Sequence, residues 1–156
     1  MRMYSTLTGA AVSAAMLCSA SLASAGNTTN NAEQLRRMDI MLMVTSLRCR
    51  KGPDNFQSDY NKFSAAHLQT MNAASRQLKL GMEKQFGVKG AARKLDQLSV
   101  SMANEYGNGH PWLECAELRQ VTRELTAVKD GARLATAADE LLSSRPKGQL
   151  ASLARR

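Results

Sequence analysis

Apolar side chains recur along this chain every three or four residues, the spacing that lines one face of a helix. The clearest run is Phe56, Tyr60, Phe63, His67, Met71, Ala74, Leu78 and Met82, which predicts one long helix from Asp54 or Asn55 to about Phe86. Upstream, Leu35, Met38, Leu42, Thr45 and Cys49 form another stripe. Asn30 followed by Glu33 resembles a capping box, so a first helix is expected over about 31–51. Gly52-Pro53 ends it, because proline offers no backbone donor and clashes with the preceding turn. Gly87-Val88-Lys89-Gly90 is a second breaker, and Leu95, Leu98, Met102 and Tyr106 mark a third helix over about 91–106. Gly107-Asn108-Gly109 forces a turn. Pro111 suits a first helical position, with Glu114 and Glu117 near the positive end of the dipole and a stripe of Cys115, Leu118, Val121, Leu125 and Val128. Lys129-Asp130-Gly131 interrupts this fourth helix, and a short fifth is expected over 132–142.

Short turns make consecutive helices antiparallel, so the expected fold is all-α: an up-down four-helix bundle with a fifth helix on its side or end. Composition agrees. The 156 residues fit one domain, contain only three prolines, and are rich in strong helix formers. One feature strains the scheme, since the second helix would span roughly 45 Å and the third about 24 Å at 1.5 Å per residue. The longer helix must overhang its neighbours or bend near Gly81.

The first residues set the compartment. Arg2, an apolar stretch over 7–22 and the box Ala23-Ser24-Ala25 read as a secretory signal over 1–25, giving a periplasmic or secreted protein that starts at Gly26. The stretch is too short and too rich in Ser and Thr for a span of about 20 residues, so no transmembrane segment remains after cleavage. Cys18 leaves with the signal. The remaining organisation is a flexible leader over 26–31, a helical domain over 32–142 and a disordered basic tail over 143–156. Removing Arg2, the one charged residue of the signal, takes the net charge from +8 to +7.

Two cysteines are left, Cys49 and Cys115, and export delivers them to an oxidising compartment where a disulfide is the default. Up-down order puts the end of the first helix and the start of the fourth at one pole, where these two stand. Closing so long a loop is worth roughly 4 kcal/mol in the chain-entropy model.

Chemistry-bearing residues are few. Tyr106, His110 and Trp112 crowd a single turn, and the bundle places them at the disulfide pole with Phe56, Tyr60 and Phe63. That could form an aromatic-walled ligand pocket with His110 as its polar contact. The plainer reading, which these residue types favour, is a Gly- and Asn-built turn whose tryptophan covers the disulfide. His67 lies on an apolar stripe, as a buried general base would, but also as a half-buried, hydrogen-bonded core histidine would. A second histidine at helical ligand spacing, an E-x-x-H, a C-x-x-C-H, a G-x-S-x-G and a phosphate-binding glycine loop are all missing from the sequence. Met38, Met41, Met43, Met71, Met82 and Met102 could suggest cuprous ion, yet most occupy stripe positions, where methionine fills core gaps. No cofactor, metal or catalytic residue is therefore expected.

Charge is the remaining signal. Arg36, Arg37, Lys79, Lys84, Lys89, Arg93 and Lys94 are expected toward the pole opposite the disulfide, joined by Arg123, Lys129 and Arg133. Glu33, Asp39, Glu83, Asp96, Glu124 and Asp130 dilute them. Such a rim could hold anionic lipid head groups, acidic glycans or an acidic protein. Nucleic acid is a poor partner, since no base-stacking aromatics interleave with these cations.

The segments MLMVTSLRCR at 41–50 and SMANEYGNGHPWLEC at 101–115 resemble small exported all-α bacterial proteins with two cysteines. The resemblance covers most of the mature domain and implies neither an activity nor a catalytic residue. An S-adenosylhomocysteine hydrolase label, sometimes attached to such proteins, requires a much longer chain with a dinucleotide-binding β-α-β unit, and this sequence has neither. The expected function is non-enzymatic binding of an anionic envelope component or acidic protein through the basic or the aromatic pole. The alternatives are a small envelope hydrolase using His110 or His67, and a periplasmic stress chaperone.

Overall fold

The computed structural model describes residues 21–143, five α-helices with no strand among them. They are α1 (Ser21–Arg48), which runs into a 3-10 turn (Cys49–Lys51), α2 (Gln57–Ala66), α3 (Leu68–Glu105), α4 (Cys115–Ala127) and α5 (Gly131–Leu142). The expected signal over 1–25 and tail over 143–156 lie almost wholly outside the described residues. No helix among those residues is long and apolar enough to cross a membrane.

α1 is the rod on which the rest assembles, packing broadly against α3 and α5 and more narrowly against α2 and α4, which also pack on each other. Its buried face repeats the stripe read from the sequence, with Leu35, Met38, Leu42, Thr45 and Cys49 inside, and widens to Ile40, Met41 and Ser46. A helix covered on several sides needs that wider arc. The two buried hydroxyls are satisfied within α1: Thr45 Oγ1 donates to the Met41 carbonyl at 2.7 Å and Ser46 Oγ to that of Met43 at 2.8 Å.

At its start α1 departs from expectation. Residues 26–31 belong to the helix, and the Asn30–Glu33 box is not used as a cap. Upstream carbonyls already accept the N–H groups that such a cap would serve, and Glu33 pairs instead with Arg37 one turn on.

The single long helix predicted from 54 or 55 to 86 is two. At His67 the backbone leaves helical geometry (φ −111°, ψ 13°), separating α2 from α3. The apolar spacing continues through the break, which is why periodicity alone does not show it. Gly81, where a bend was one of the two expected ways to accommodate the length, stays helical.

α3 then reverses at Gly87, whose φ of 65° and ψ of 171° suit glycine. Arg36 proves the reversal, since its guanidinium donates to Ser75 Oγ at 2.9 Å and to Ser99 Oγ at 2.7 and 3.0 Å. A straight helix would hold those two serines about 36 Å apart. The predicted breaker is therefore a hairpin between a first arm (68–86) and a second arm (88–105). Gly90 lies close under the turn, where a β-carbon would come 2.8 Å from that of Phe86.

The start of α4 also needs correction. Pro111 is not its first residue: α4 begins at Cys115, capped by Glu114 in a reciprocal box with Glu117. The backbone N–H groups of Trp112 and Leu113 point at the His110 ring instead of entering a helix. The predicted disulfide is present, joining Cys49 to Cys115 with Cα atoms 5.9 Å apart. Asp130 caps α5 by accepting from the Arg133 N–H at 2.8 Å.

Candidate functional site

At the disulfide end the turn after α3 gathers Tyr106, His110 and Trp112, as the sequence suggested. The His110 ring stacks on Tyr106 (centroids 6.2 Å) and meets Trp112 edge-on at 4.7 Å. Tyr106 is buried, with its hydroxyl pushed above the ordinary tyrosine range by desolvation first and by the Glu105 charge second. His110 Nε2–H donates to the Leu141 carbonyl at 3.3 Å, while Nδ1 accepts from the Leu113 N–H at 3.2 Å and, more weakly, from Trp112. Those bonds require the neutral ring, and burial lowers its pKa in the same direction. With both nitrogens engaged, His110 fastens the turn to the end of α5 and has no lone pair free to take a proton from a substrate.

His67 is buried at the break between α2 and α3, with its Nε2 2.9 Å from the Leu125 carbonyl oxygen near the end of α4. A carbonyl only accepts, so Nε2 carries the proton. The ring also packs 5.0 Å from that of Phe63. Phe56 and Phe63 are fully buried core rather than pocket wall. Tyr60 donates to Asp39 Oδ1 at 3.2 Å. Burial lifts the Asp39 carboxyl above its usual range despite that bond and nearby Arg36. Burial likewise raises the Tyr60 hydroxyl to about 12, with the Asp39 charge adding to it. No group of three or more His, Cys, Asp or Glu suited to a metal stands among the described residues.

The cations expected at one basic pole separate into paired and unpaired sets, and Lys129 and Arg133, both exposed and without an ion pair among the described residues, stand at the start of α5 rather than with the others. Arg36 turns inward onto Ser75 and Ser99, where hydroxyls replace water around its charge. Arg37 pairs with Glu33 and Glu105, Lys79 with Glu83, and Arg123 with buried Asp59 at 3.1 Å. Lys84, Lys89, Arg93 and Lys94, all exposed, surround the Gly87 reversal, and no ion pair to a carboxylate forms at any of them among the described residues. Between them project Phe86, 46% exposed, and Val88, 66% exposed. Sequence reasoning included the cations but missed this apolar pair, because Phe86 falls in phase with the α3 stripe. A large apolar residue beside glycine in a basic run was the available signal.

Comparison with known proteins adds nothing to this geometry: the chain matches no family model, no curated protein and no solved structure.

Proposed function

We propose that this chain is a non-enzymatic, periplasmic or secreted helical protein that binds an anionic component of the cell envelope. The observation that carries this reading is the α3 reversal, where Lys84, Lys89, Arg93 and Lys94, all exposed, stand around the exposed Phe86 and Val88 and form no ion pair among the described residues. Cations left unneutralised on one convex turn attract a surface of opposite charge. The disulfide fits an oxidising compartment. Both histidines serve as hydrogen-bonded struts, which weighs against the hydrolase alternative.

The test is co-sedimentation of the oxidised protein with phosphatidylglycerol vesicles and its retention on immobilised polyphosphate, each at low and high salt. Binding to both that salt reverses, and that is lost when Lys84, Lys89, Arg93 and Lys94 are all changed to Gln, supports the reading. Failure to bind either polyanion at low salt overturns it.

A further inference from the structure

The reading above leaves open which anionic component is bound, and the exposed apolar pair at the reversal bears on that choice. Phe86 and Val88 flank Gly87 at the tip of the α3 hairpin, the end of each arm farthest from the α1 contacts of Ser75 and Ser99. Their exposure follows from how the turn is built. Gly87 supplies the positive φ that reverses the chain, and the missing side chain of Gly90 lets the second arm pass close beneath the Phe86 β-carbon. Lys94 holds its ammonium 5.4 Å from the centre of the Phe86 ring. The ring thus contacts a cation that is itself part of the basic cluster.

We propose that this reversal is a wedge for an anionic bilayer, in which Phe86 and Val88 enter the boundary between head groups and acyl chains while Lys84, Lys89, Arg93 and Lys94 engage lipid phosphates. The proposal rests on the electrostatic reading and commits it to one partner. A soluble polyanion or acidic glycan would satisfy the four cations and leave both apolar side chains in water. A lipid surface satisfies both kinds of group at once. Neither contribution suffices alone for firm attachment, and an apolar insertion joined to a polybasic patch is the combination that gives it. Each Lys or Arg near an anionic leaflet contributes about a fivefold gain in partitioning, and removing the phenyl group from the lipid boundary is expected to cost about tenfold.

Trp112 provides an internal control, because it follows the far end of the second arm, which spans roughly 27 Å at 1.5 Å per residue. The experiment measures tryptophan fluorescence of the oxidised wild type and of Phe86→Trp on phosphatidylglycerol vesicles carrying lipids brominated high on the acyl chain. Circular dichroism verifies that each variant is folded. The expected result is a blue shift and quenching in Phe86→Trp, with wild-type emission from Trp112 unquenched, and about tenfold weaker binding by Phe86→Ser. Salt-sensitive binding without quenching, and with Phe86→Ser at full affinity, overturns the wedge and leaves the electrostatic reading standing. Equal quenching on neutral phosphatidylcholine vesicles overturns the requirement for an anionic leaflet. Absence of binding to both phosphatidylglycerol vesicles and polyphosphate overturns the wedge and the reading beneath it together.

Discussion

His67 reaches across the molecule to the Leu125 carbonyl, 2.9 Å away, and so ties the break between α2 and α3 to the last turns of α4. The same carbonyl accepts the Val128 N–H at 3.1 Å, so it keeps a partner when the ring is removed. His67→Ala is therefore expected to cost the net value of one hydrogen bond plus the packing against Phe63, about 2–3 kcal/mol in all. Urea unfolding measures this, with native helicity retained at zero denaturant. An unchanged midpoint would remove the strut role.

His110 carries a pH signature. Burial above all holds its folded-state pKa below the ordinary histidine value of about 6.5 that applies to the unfolded chain. The unfolded state then takes up the proton first as pH falls, so stability is highest above about 6.5 and declines below it until the folded-state pKa is passed. The urea midpoint of wild type minus that of His110→Asn, followed from pH 7.5 to pH 5, should fall with pH; the subtraction cancels Asp39, whose raised carboxyl pKa acts in the opposite sense.

Three glycines of α3 should respond differently to alanine. Gly81→Ala places a methyl group with nothing within 4 Å in a helical segment, and is expected to stabilise by about 0.5–1 kcal/mol. Gly87→Ala meets a φ of 65°, and Gly90→Ala drives a β-carbon to 2.8 Å from that of Phe86. Both should destabilise by about 1–3 kcal/mol. Thermal unfolding of the three variants checks the opposite signs.

Reducing the Cys49–Cys115 bridge removes a constraint on a loop with a sequence separation of 66. The expected loss is roughly 4 kcal/mol, a large part of the stability of a domain this size. Comparing oxidised protein with protein unfolded in reductant measures it, and coincident transitions would show that the bridge adds nothing.

The sulfur pairing was legible because the expected removal of Cys18 with a secretory signal would leave two cysteines, and helix alternation sends both to one end. Gly87 was legible as a breaker, since no other residue adopts its φ so readily. The break at His67 was not, because Phe63, His67 and Met71 keep perfect helical spacing across it. Nor could spacing show that Arg36 turns inward, since its partners Ser75 and Ser99 come together only once α3 has folded back. The basic cluster was readable in composition and blurred in extent: pairing with Glu33, Glu105, Glu83 and Asp59 withdraws Arg37, Lys79 and Arg123, which a sequence counts as free. The neutral, doubly bonded state of His110 depends on Leu141, Trp112 and Leu113, which no local motif announces.

The bridge between Cys49 and Cys115 closes a loop of chain that contains α2 and both arms of α3. A protease that nicks the protruding reversal would consequently release no fragment, and the severed halves would migrate as one species on a gel until a thiol is added. Such latching lets the exposed reversal be cut without the chain coming apart.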